Sequence, residues 1–157
     1  MSNGGKRQEL LEYFRDTVLA KITIGNGYNT TVVTREIGLR NPQQMGDDRF
    51  PAVFLAYCPE TIKNITNKKF LSTLEINFVI AVKATETQSI QENLNQLLED
   101  VRKAVYEGPS VGGDDPTQGG RVSWSTWTKY DPQIVDEPPY GMGSITFTFD
   151  YTDLLTN

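Results

Sequence analysis

The spacing of hydrophobic and polar positions changes several times along this 157-residue chain. Residues 6–20, "KRQELLEYFRDTVLA", place Leu10, Leu11, Phe14 and Val18 on one stripe with charged side chains around the rest of the cylinder, which predicts an amphipathic helix. β-Branched residues then take over in "ITIGNGYNTTVVTREI", where Asn26-Gly27 supplies the positive φ of a short hairpin or other tight turn. "FPAVFLAYC", residues 50–58, is apolar at nearly every position and predicts a strand covered on both faces. In "KKFLSTLEINFVIAVK", Phe70, Leu74, Ile76, Phe78, Ile80 and Val82 share one parity, while Thr73, Glu75, Asn77 and Lys83 share the other. That alternation predicts a long, half-buried strand.

The period returns to helical in residues 85–109, where Ile90, Leu94, Leu97, Leu98, Val101 and Val105 form one face. Ser89 and Glu92 make a capping box and Gly108-Pro109 a stop signal. Two further strands are predicted in "RVSWSTWTKY" and in "GSITFTFDYTD", whose Ile145, Phe147, Phe149 and Tyr151 alternate with Ser144, Thr146, Thr148 and Asp150. Val122 and Trp124 fall on one face of the first. Trp124 and Trp127 are three apart and so face opposite sides; one is expected in the core, the other exposed as an interface anchor or covered by a loop of the same chain. Flexible loops are expected near residues 40–49, 107–120 and 131–143, the second holding five glycines and two prolines. The expectation is one α+β domain spanning residues 1–157, a mostly antiparallel sheet with two helices packed on one face.

Composition narrows the function. The formal net charge of −5 argues against free nucleic-acid binding, which draws on clustered Lys and Arg. With no histidine, the Ser-His-Asp and Cys-His devices and the commonest zinc ligand are absent. Cys58 is the single cysteine and reads as a core or near-core residue, not part of a disulfide or metal cluster. No cofactor is expected. The absence of an N-terminal apolar segment or an 18-residue apolar run points to a cytosolic origin.

Two kinds of motif raise chemistry. Gly25-Asn26-Gly27 follows a helix, lacks a third glycine or a Gly-Lys-Ser/Thr ending and opens no helix, so it reads as turn chemistry and not as a phosphate loop. Asp47-Asp48, Asp114-Asp115 and Asp136-Glu137 offer carboxylates to a hard cation or to a glycosidase couple, but without calcium-loop spacing they read as solvated loop charge. Asp47, Asp48, Asp114, Asp115 and Trp127 are the candidate interface residues.

The stretch "VLAKITIGNGYNTTVVTREIG", followed after a short loop by "GDDRFPAVFLAYCPE", resembles the N-terminal half of tail-terminator and tail-completion proteins of long-tailed bacteriophages. The likeness rests on Ile22, Thr23, Gly27, Tyr28, Thr31, Val32, Asp48, Phe50, Pro51 and Ala52, and on the later order of long strand, helix and strands. It implies a non-enzymatic virion protein of the tail neck, assembled in the host cytoplasm as a ring, commonly a hexamer. Such a ring caps the tail tube, meets the tube protein and the head connector, and lets DNA pass its lumen without specific binding. Other readings are a different neck, tube or minor tail component and, from another class, a small carboxylate- or cation-dependent hydrolase.

Overall fold

The computed structural model describes residues 5–66, 68–85, 88–137 and 139–154, with backbone alone for residues 133–137 and 154. The first helix, α1 (Gly5–Tyr13), widens into a π-helical turn over Phe14–Val18 and tightens into a 3₁₀ turn over Leu19–Lys21. Its predicted stripe holds: Leu10, Leu11, Phe14 and Val18 are all buried. The strands that follow are β1 (Thr34–Ile37), β2 (Ala52–Ala56), β3 (Glu60–Asn64) and β4 (Lys69–Lys83). Helix α2 (Ile90–Glu107) leads to β5 (Trp124–Glu137) and β6 (Tyr140–Leu154).

These six strands make a single mixed sheet, mostly antiparallel, in the order β1-β2-β4-β6-β5, with β3 pairing β4 beyond the end of β2. The α+β class is as read. Among the described strands, β1 alone runs parallel to its neighbour, with Thr34 opposite Ala52. Both helices pack on one face over Val53, Leu55, Ile76, Phe78, Phe147 and Phe149. Alternation on β4 and β6 supplies that face, because successive side chains of a strand point to opposite sides. Ser89 Oγ accepts from Glu92 N at 3.2 Å to start α2, and Gly108, at φ 75°, ends it. The capping signals therefore mark both ends of the helix.

Three segments expected as flexible loops have structure of their own. In 40–49, two 3₁₀ turns, Pro42–Gln44 and Asp47–Arg49, bury Pro42 and lay Met45 on the opposite sheet face against Phe54, Val79 and Met142. This second cluster covers β2 from behind, which is why "AVFLA" is apolar throughout. Residues 107–120 form successive tight turns around a fully buried Gln118, whose Nε2 donates to Val105 O at 2.8 Å and whose Oε1 accepts from Tyr13 at 2.9 Å. Residues 131–137 and 140–143 belong to the β5–β6 hairpin. Its register shifts after Trp127 and after Asp131.

Candidate functional site

The 22–33 stretch folds as a 3₁₀ turn, Ile24–Asn26, capped by Thr23 and closed by Gly27 at φ 91°, so the turn reading holds and the hairpin does not. Beyond the glycine, the amides of Asn29 and Thr30 donate to the carboxylate of Asp100 on α2 at 2.9 and 2.8 Å, and Thr30 Oγ1 adds a third bond. Adjacent amides converging on an anion are what a phosphate loop offers. Here the anion is a side chain of the same protein, and the loop docks on α2.

A second carboxylate, Glu107, secures the other side of this junction. It accepts from the Tyr28 hydroxyl and from Gly112 N, and its Oε1 lies 3.8 Å from Lys21 Nζ. Lys21 also donates to the carbonyls of Ala104 and Gly108 at 3.1 and 2.6 Å, closing the C-terminal end of α2. Burial lowers the Lys21 pKa, against the opposing pull of Glu107. It raises the Tyr28 pKa, and the Glu107 carboxylate raises it further. Asp100 and Glu107 were missed as anchors because each reads as an ordinary charge beside the apolar stripe. Their seven-residue spacing, which puts both on one flank of the helix, was the available signal.

The five candidate residues occupy two separate surfaces. Asp115 turns inward, accepting from Thr117 N at 3.0 Å, Thr117 Oγ1 at 2.6 Å and Gly119 N at 2.8 Å. The Thr117 hydroxyl first, then the Gly119 amide, hold its carboxyl below the ordinary range. Its role is to shape the turn. Asp114 is exposed and lines a groove of about 420 Å³ with Arg102, Lys103 and Glu99. Arg102 is 2.5 Å from Glu99, and its Cζ lies 5.7 Å from the Trp127 ring, so one residue of the groove also reaches Trp127.

Asp47 lies elsewhere, bonded to Lys83 Nζ at 2.8 Å and accepting from Tyr140 at 3.3 Å. The ion pair with Lys83 is the main cause of the lowered Asp47 pKa and the raised Lys83 pKa. Asp48 is exposed beside it. Trp127 sits across from Phe147, which pairs with Ile76, seven positions before Lys83 on β4. At about 3.3 Å per residue the two surfaces are roughly 23 Å apart along the strand. The Asp136 and Glu137 side chains fall outside the described residues. Among the described residues, no three His, Cys, Asp or Glu side chains are placed to hold a metal ion.

Neither tryptophan enters the core. Trp124, 55% exposed, stands on the face away from the helices, and Trp127, 40% exposed, on the helix-bearing face. They do face opposite sides, as expected. β5 is an outermost strand of the sheet, and among the described residues no further strand pairs beyond it; on the helix-bearing face Arg102 of α2 lies over the Trp127 ring. Val122 is buried but lies in the turn before β5, so it shares no strand face with Trp124. No family model and no curated protein matches this chain.

Proposed function

We propose that this protein is a tail-terminator subunit of a long-tailed bacteriophage. It assembles into a ring, with a hexamer expected, that caps the head-proximal end of the tail tube, halts its growth and joins it to the head connector. The observation that carries this reading is the open β5 edge with an exposed tryptophan on each face. Large amphipathic rings at an uncovered sheet edge are the usual anchors of a protein contact.

Two further features support it. The two halves of the likeness to terminators lie side by side: Val32 N donates to Ile22 O at 3.0 Å, and the adjacent Val33 N donates to Pro51 O at 2.9 Å, joining the turn to the entry of β2. The net charge of −5 suits a lumen that DNA crosses without adhering, since carboxylates repel phosphate.

Light scattering of the purified chain, with electron microscopy of the same sample, tests the ring. The expected result is a closed oligomer of about six subunits with a central hole. A monomer that also fails to assemble on added tail tubes would contradict the reading.

A further inference from the structure

At the level of Trp124 the sheet is four strands wide, and one row crosses it through Thr61 on β3, Thr73 on β4, Asp150 on β6 and Trp124 on β5. Each neighbouring pair in that row is antiparallel. β3 and β5 therefore run in opposite directions at opposite edges. A second copy placed beside the first with only the small rotation of a ring would bring its β3 alongside β5 in antiparallel sense.

The two edges also match in length and chemistry. On β5, the regular stretch ends at the register shift after Trp127, leaving the four residues Trp124–Trp127 as the pairing segment. β3 has five residues, Glu60–Asn64. On the helix-bearing face, β5 offers Trp127, and β3 offers Ile62, which is opposite the buried Ser72 and is itself 57% exposed. On the bare face, β5 offers Trp124, and β3 offers Lys63, opposite Leu71. Same-face matching thus offers an isoleucine to one indole and an ammonium to the other; in any one antiparallel register one of these two pairs is directly opposite and the other diagonal.

We infer that the subunit contact is this one: the β5 edge of each copy pairs antiparallel with the β3 edge of the next, continuing the sheet from subunit to subunit. The inference rests on the ring reading and specifies its interface. A two-fold β5–β5 pairing would cover the tryptophans and leave Ile62 bare. Head-to-tail pairing covers the β3 and β5 edges in every copy, leaving β1 as the outer strand beside β2, and closes without an unpaired β3 or β5.

Disulfide trapping tests it in the full chain on a Cys58→Ala background, which removes the single native cysteine. Thr126→Cys, on the bare face of β5, is combined in turn with Thr61→Cys and Lys63→Cys, the two bare-face positions of β3. Circular dichroism melts confirm that each variant folds. On oxidation, one of the double variants should give a ladder of covalent multimers on a non-reducing gel, while every single-cysteine variant runs as a monomer. Rings seen by light scattering with no ladder from either double variant would overturn the edge pairing and leave the ring reading standing. Dimers from Thr126→Cys alone would overturn it in favour of β5–β5 contact. A chain that stays monomeric, even beside tail tubes, would contradict the ring reading itself.

Discussion

Asp100 shows how much a single side chain carries here. Only 2% exposed, it accepts the amides of Asn29 and Thr30 and the Thr30 hydroxyl, so it replaces the water those groups would otherwise bind. Asp100→Ala strands two amides beside a helix face, and unfolding in urea should show a loss of about 3 kcal/mol. A loss under ~0.5 kcal/mol would mean that the turn docks by apolar contact alone. From the sequence, Gly27 was legible as a turn residue because positive φ is local chemistry. The partner of the next two amides was not, because it lies some seventy positions away and nothing local marks it.

Elements were legible in proportion to the length and regularity of their pattern. β4, β6 and α2 carry long periodic runs, and α2 has caps at both ends, so type came through for all three and extent for β4 and α2, while β6 begins at Tyr140, inside the expected loop. β1 and β3, at four and five residues, are too short to show a period. Residues 131–143 read as a loop because Pro132, Gly141 and Gly143 are breakers, yet the sheet tolerates them for separate reasons. Pro132 lies on an edge strand, where a missing amide costs no ladder bond, and within a bulged stretch of the register. Gly141 allows close approach: a Cβ there would overlap Ile90 Cγ2 in the first turn of α2. Gly141→Ala should therefore destabilise by about 1–3 kcal/mol. Adding Ile90→Ala should recover part of that loss, a coupling that a double-mutant cycle reads directly. Strict additivity would mean that α2 does not press on β6 at that point.

Across the whole molecule, buried tyrosines set the alkaline limit. Burial pushes the Tyr13 and Tyr151 pKa values up to about 12, the second helped by its bond to Glu60, and raises Tyr28 above its ordinary value. The unfolded chain ionises tyrosine near pH 10, so each group stabilises the fold fully below that pH, and the contribution disappears as pH rises through the folded value. Lys21 works with the opposite sign, since its lowered pKa favours the folded state as pH rises toward 10.5. Three tyrosines outweigh one lysine. The melting temperature is expected to hold to about pH 10 and to fall steeply between about pH 10 and 12, as followed by circular dichroism. A flat profile across that window would show that these hydroxyls reach solvent.

The same scale carries the functional account. An acidic α+β domain whose described sheet has β1, β3 and β5 as outer strands, with exposed tryptophans on β5, carries the surface that the proposed ring would cover. The candidate acids read from sequence divide accordingly. Asp115 and Asp47 are bonded within the chain, while Asp114 is exposed in the groove that Arg102 also lines. Electron microscopy of particles made when the gene carries an early stop codon tests the central claim most directly. The terminator account expects tails of uncontrolled length without attached heads, corrected when the chain is supplied from a plasmid; tails of normal length joined to filled heads would contradict it.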